Sequence, residues 1–198
     1  MSQTLVLASA NEGKIRELRR VLAREAVSMV SAAQLGSYTG AQEIGHTFLS
    51  NAYLKARAVS VATGLAALGD DSGLCVKALG GHPGVHSARY GGEEITPAER
   101  NSLLLRRLTG VAWSDRQARF ECVLVLHLPD EQWVGVRGEC QGRICMRPRG
   151  GSGFGYDPLF ELADGRTMAE LTEAEKDLIS HRGRALAELR PWLSKLLG

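Results

Sequence analysis

The chain has 198 residues, 44% of them hydrophobic and 23% charged, with a formal net charge of +2. This is globular composition, long enough to bury a proper core, and it excludes a disordered or low-complexity chain. The near-neutral charge gives no general attraction to polymeric nucleic acid or to an anionic membrane surface. No apolar run approaches the ~20 residues of a membrane span.

Met1-Ser2-Gln3-Thr4 has no charged n-region and leads directly into an apolar run, so it is not read as a signal peptide, and a cytoplasmic location is expected. Four cysteines, Cys75, Cys122, Cys140 and Cys145, contain no C-x-x-C pair. They read as reduced structural residues rather than a disulfide framework.

Thr4 to Ala8 is a predicted strand, and Ile15, Leu18, Val21 and Leu22 then recur at helical spacing. The connecting Ser9-Ala10-Asn11-Glu12-Gly13-Lys14 has two readings. It is either a phosphate-holding turn, with helix N–H groups and a lysine facing an anion, or an Asn-capped helix with an exposed lysine. The Walker A spacing is absent, which excludes a P-loop NTPase. Ser28 to Ala32 reads as a second strand. Gly36 to Gly45 is a polar loop carrying Glu43, and Thr47 caps a helix that ends at Gly64. Asn51 and Lys55 lie one turn apart on that helix, facing either a site or water.

Ala66 to Leu74 places an apolar run before Asp70-Asp71-Ser72-Gly73. A buried strand with two carboxylates at its end is predicted, at a sheet rim where open α/β folds keep ligand crevices. Paired carboxylates there suit Mg²⁺, although Asp-Asp-Ser-Gly is also ordinary turn composition. Leu79 to Gly92 is a glycine-rich loop, and Thr96-Pro97-Ala98-Glu99 is a capping box opening a helix through Leu108. Arg119 to Leu128 and Trp133 to Gly138 form a predicted hairpin, followed by a separate short strand at 142–146. His127 reads as a packed histidine. Arg147 to Pro158 is a second glycine-rich loop around Phe154, either a ligand loop or a plain turn over a core ring. Thr172-Glu173-Ala174-Glu175 is another capping box, and the helical run behind it is expected to reset near Ser180 and bend at Pro191. Lys176, His181 and Arg182 cluster at its start. There is no repeat or linker, so 1–198 is read as a single α/β domain.

In order, these segments form one pattern: Ser9 to Lys14; Gly45-His46-Thr47-Phe48 with Asn51 and Lys55; Asp70 to Leu74; Gly80-Gly81-His82-Pro83-Gly84-Val85; Ser87-Ala88-Arg89-Tyr90; Gly153 to Pro158; and Glu175-Lys176 with Ser180-His181-Arg182. The chain resembles the inosine/xanthosine triphosphate pyrophosphatase family over essentially its whole length. The resemblance implies an elongated single α/β domain, with a central mixed β-sheet flanked by helices and two lobes enclosing a nucleotide cleft. It further implies a homodimer and Mg²⁺-dependent hydrolysis of ITP, dITP and XTP to the monophosphate and pyrophosphate.

Carried onto this sequence, Ser9, Ala10, Asn11, Glu12, Gly13 and Lys14 would hold the triphosphate. Asp71 would be the catalytic carboxylate and a metal ligand, with Ser72 on the substrate. Phe154, Gly155, Tyr156, Asp157, Lys176, His181 and Arg182 would form the base pocket. Mg²⁺ and Lys14 would neutralise charge at phosphorus, and Asp71 would take the proton of the attacking water. A 6-oxopurine accepts from buried donors that adenine would leave unpaired. Where the family usually has Glu-Glu before Thr-Gly, this chain has Gln42-Glu43-Ile44-Gly45. Either Glu43 takes over as metal ligand or Gln42 binds through its neutral carbonyl, with Asp70 a further candidate. The rivals are a house-cleaning pyrophosphatase for modified pyrimidine nucleotides and a catalytically silent nucleotide-binding module.

Overall fold

A computed structural model describes residues 3–23, 25, 27–36 and 45–197. Its strands are β1 (Gln3–Ala8), β2 (Val27–Ser31), β3 (Ala66–Val76), β4 (Gln117–His127), β5 (Trp133–Ile144) and β6 (Phe160–Glu161). The α-helices are α1 (Glu12–Leu22), α2 (Phe48–Thr63), α3 (Pro97–Arg107), α4 (Glu173–Ile179) and α5 (His181–Leu197). The strands form one mixed sheet in the order β2-β1-β3-β4-β5-β6. β1 runs parallel to both β2 and β3, whereas β5 and β6 are antiparallel. The chain packs as two compact units, one of residues 1–71, 122–138 and 182–198, the other of 72–121 and 139–181.

In the first unit, side-chain alternation along the strands sorts the core onto two faces. Leu5 and Leu7 of β1, Ala66 and Leu68 of β3, and Cys122, Leu124 and Leu126 of β4 meet Ile15, Leu18 and Leu22 of α1 and five apolar residues of α5. On the opposite face Val6, Ala8 and Ala67 meet Val59 of α2. At Gly69 the α2 backbone lies directly on β3: a Cβ there would collide with the Ala52 carbonyl oxygen and the Ala56 amide. Glycine is therefore required at this point by close approach rather than by a turn. Gly64, at φ +66°, closes α2 as its left-handed C-cap.

The second unit has its own core. Leu74 and Val76, Leu104 and Leu108, Phe120, Ile144, Leu159 and Phe160 pack together. Arg116, almost fully buried, donates to the carbonyls of Leu108 and Val111, tying the end of α3 to β4.

Both predicted capping boxes are formed. Thr96 accepts from the Glu99 amide while Glu99 accepts from the Thr96 amide, and Thr172 and Glu175 repeat the exchange. The helical run resets at Ser180, and Pro191 lies inside α5. Three expectations change. β2 starts and ends one residue earlier than read, because Ala32 to Leu35 wind into a 3₁₀ turn. The two short strands expected after Gln132 are one, β5, since Gly138 and Gly142 stay in the ladder. A Cβ at Gly142 would strike the Glu161 carbonyl and the Phe160 ring, so this glycine admits the β6 backbone rather than ending the strand. Finally, Asp70 and Asp71 lie in the middle of β3, not at its end. All four cysteines are buried and unbridged.

Candidate active site

Adjacent strand residues point to opposite faces, so Asp70 and Asp71 enter different surroundings. Asp70 faces α1 and α5 and is 1% exposed. Lys14 Nζ stands 2.8 Å from its Oδ1, and Arg182 Nε donates to its Oδ2 at 2.7 Å. The second face of the Arg182 guanidinium donates to Glu17, and the Cys122 thiol approaches Asp70 Oδ2 at 3.6 Å. Two carboxylates and two cations therefore form a buried, charge-balanced group. Burial pushes the Asp70 carboxyl upward, but Arg182 and Lys14 outweigh it and hold the group well below the usual carboxylate range. Burial likewise opposes the charge on Arg182, which Asp70 and Glu17 keep protonated.

Asp71 faces α2 and is 4% exposed. Lys55 Nζ donates to its Oδ1 at 2.8 Å and also to the Asp70 carbonyl at 3.2 Å. Asn51 Nδ2 donates to its Oδ2 at 3.2 Å. One turn of helix separates the two donors, and the close approach at Gly69 brings that turn against the strand. The Asp71 carboxylate is a hard oxygen donor of the kind taken by Mg²⁺, an ion that binds through few carboxylates and keeps water. Among the described residues there is no cluster of three or more metal-ligating side chains. Gln42 and Glu43, the other expected ligands, lie outside the described residues.

The expected phosphate turn is an Asn-capped helix start. Asn11 Oδ1 accepts from the Lys14 amide at 3.1 Å, and Ser9 Oγ accepts from the Asn11 amide at 3.1 Å. Ala10, Asn11 and Glu12 are exposed, while Ser9 and Gly13 are buried. Lys14 is half-buried and directed at Asp70, so the exposed lysine of the plainer reading is not what forms.

In the second unit, Phe154, Gly155, Tyr156 and Asp157 form a tight loop. Asp157 Oδ2 accepts from the Phe154 amide at 2.8 Å and from Lys176 Nζ at 2.6 Å, both partners being brought onto one carboxylate. Lys176 Nζ also lies 4.9 Å from the Phe154 ring centroid, a cation–π distance. Asn101 of α3 donates to the Gly155 carbonyl at 3.0 Å. The Tyr156 hydroxyl donates to the Ser87 carbonyl at 2.9 Å, and burial pushes its pKa up. His181 is buried, its ring stacked 4.7 Å from Phe120. Ser72 follows Asp71 in β3 and is half-buried.

Sequence reasoning missed Glu17 and left Asn51 and Lys55 undecided. Glu17 is a carboxylate one helical turn after Lys14, set beside Leu18 on the buried side of α1. A charge in that position is the signal, because buried charges need partners. For Asn51 and Lys55 the signal is the small pair Ala52 and Ala56 on the same helix face, which lets α2 lie close to a strand.

The sequence profile of the Ham1 family matches residues 5–192. A relative from Geobacillus kaustophilus, named dITP/XTP pyrophosphatase, is 44% identical over 98% of this chain and 96% of its own length. One from Escherichia coli O157:H7, with the same name, is 48% identical over 93% of this chain and 94% of its own. The structure of a HAM1 protein from Coxiella burnetii superposes with a TM-score of 0.88 at 40% identity, covering 98% of this chain and 99% of that one. A Mycobacterium abscessus protein, titled nucleoside-triphosphatase / dITP/XTP pyrophosphatase, has a TM-score of 0.76 at 44% identity, covering 96% and 100%. With near-complete coverage in sequence and in fold, this chain belongs to the Ham1 family.

Proposed function

We propose that this chain is a nucleoside-triphosphate pyrophosphatase that hydrolyses deaminated purine nucleotides, ITP, dITP and XTP, to the monophosphate and pyrophosphate. The observation that carries the reading is the Asp71 carboxylate, buried on β3 with Lys55 donating to one oxygen and Asn51 to the other. The names of full-length relatives supply the substrate class.

In this reading Asp71 accepts the proton of the attacking water, as a general base held in one orientation by Lys55 and Asn51. Bound Mg²⁺, held by Asp71 together with Glu43 or Gln42, would supply charge neutralisation at the phosphates. The helix start at Ser9 to Lys14, with Ser72, serves the phosphates. Lys14 adds positive charge there, although it is shared with Asp70. Asp70 has both oxygens engaged by protein donors and serves as the counter-ion of Arg182.

Phe154 stacks on the purine, framed by Gly155, Tyr156 and Asp157. Lys176, His181 and Arg182 are the donors assigned to the 6-oxo group. The ordering of Phe154 and Lys176 on one Asp157 oxygen supports a base-reading role for that loop. A donor at the 6-position rejects adenine, which presents an amino group there. The whole chain acts as one catalytic domain, works in the cytoplasm, and pairs as a homodimer. No helix among the described residues is long and apolar enough to cross a membrane.

The test is product analysis with ITP, XTP, dTTP, ATP and GTP, with and without Mg²⁺. Monophosphate and pyrophosphate from ITP and XTP alone support the reading. Preference for dTTP would favour the pyrimidine enzyme, and no turnover of any nucleotide would leave the silent binding module.

A further inference from the structure

Asn51 is 0% exposed, and a fully buried amide must have its hydrogen-bonding groups satisfied. Its Oδ1 accepts from the Gly45 amide at 2.8 Å, and its Nδ2 donates to Asp71 Oδ2 at 3.2 Å. The chemistry of the partners fixes the amide orientation without further assumption. A backbone N–H can only donate, and an ionised carboxylate can only accept, so Oδ1 must face Gly45 and Nδ2 must face Asp71. Gly45 stands two residues after Glu43 in the sequence. A Cβ at Gly45 would collide with the Asn51 Oδ1 and Ser50 Oγ atoms, so the backbone approaches this side chain as closely as it can.

We propose that Asn51 is a positioning residue for the reaction, a two-ended clamp that fixes the Asp71 carboxylate at one end and the Gly45 backbone amide at the other. The inference rests on the proposed role of Asp71. Lys55 holds the carboxylate through Oδ1 and Asn51 holds it through Oδ2, so the two donors together resist its turning about the Cβ–Cγ bond. A general base contributes through orientation as well as basicity, so a loosened carboxylate loses turnover more than substrate affinity. Aspartate is the informative replacement. It has nearly the same shape and still accepts from the Gly45 amide, but it turns an acceptor toward an acceptor at Asp71.

The test measures steady-state hydrolysis of ITP by the wild type, Asn51→Asp and Asn51→Ala, together with thermal unfolding and calorimetric binding of IMP to confirm that each variant is folded. The expected result is a fall in kcat of roughly thirtyfold or more for both variants, with KM for ITP and IMP affinity within about threefold of wild type. Unchanged kcat in a folded Asn51→Asp variant would overturn the clamp while leaving the role of Asp71 intact. Equal losses in kcat/KM carried entirely by KM would overturn it as well, since that marks ground-state binding. Failure to fold in the alanine variant alone leaves the aspartate variant to decide. If the wild type does not hydrolyse ITP, the proposed function falls and this inference falls with it.

Discussion

Arg182 Nε donates to Asp70 Oδ2 at 2.7 Å, pairing residues 112 positions apart at the centre of the first unit. The arginine is 1% exposed and its second partner, Glu17, is 6% exposed. Removing the guanidinium leaves Asp70 with Lys14 but takes the Arg182 donor from buried Glu17 and unbalances the group, which is far more costly than losing a surface ion pair. Arg182→Met is expected to destabilise the protein by about 3–5 kcal/mol in urea unfolding at neutral pH. Combining it with Glu17→Gln is expected to recover part of that loss, because Asp70 then still faces Lys14 and the charge of the group is balanced again. A double variant less stable than the single one would contradict the ion-group description.

Gly69 is the contact point between α2 and β3. Gly69→Ala places a methyl group against the Ala52 carbonyl oxygen, a backbone atom that cannot rotate away. A loss of about 1–3 kcal/mol is expected in chemical denaturation, the range for overpacked sites. Because α2 also carries Asn51 and Lys55, activity should fall further than the folded fraction does. Wild-type stability and turnover in this variant would show that the helix does not rest on the strand here.

Stability is expected to depend on pH through His127. The ring is 0% exposed, lies 5.7 Å from Tyr53, and has no hydrogen bond from either nitrogen among the described residues. The Glu131 carboxylate is 3.7 Å from Nε2, too far for a hydrogen bond, and is itself held by Arg57 at 3.1 Å. Burial pushes the imidazole pKa down, with Glu131 opposing it and Arg57 adding to it. Since the folded pKa lies below the unfolded value, the unfolded chain binds the extra proton first as pH falls. This contribution to stability is therefore complete above the unfolded histidine pKa of about 6.5 and is lost on acidification through and below it. His127→Phe should flatten the unfolding free energy between about pH 7 and 5 relative to wild type. An unchanged slope would place the titration elsewhere.

Much of the fold was legible because its signals are local. The capping boxes at Thr96 and Thr172 and the glycine after α2 act within one helical turn, and each fixed an element boundary. The readings that changed depend on partners distant in sequence. Two carboxylates inside a strand are tolerable only with Lys14, Arg182, Lys55 and Asn51 brought to them, so the sequence alone suggested a strand end. Gly142 looked like a break because β6, which needs its missing side chain, is formed by residues 160–161. At the candidate site, the residue types were readable, whereas the different surroundings of Asp70 and Asp71 were not. Those surroundings follow from which face of β3 each occupies, and hence from the helices packed there.

The catalytic role of Asp71 is tested most directly by turnover of ITP by wild type and Asp71→Asn, with inorganic pyrophosphate and IMP quantified and IMP binding checked by calorimetry. Asparagine keeps the shape but cannot take up the water proton as carboxylate does. Equal amounts of IMP and pyrophosphate are expected from the wild type. A loss of kcat of at least about a hundredfold is expected in the variant, with IMP still bound. Turnover by Asp71→Asn near the wild-type rate would contradict that role, and orthophosphate as the wild-type product would contradict the proposed reaction.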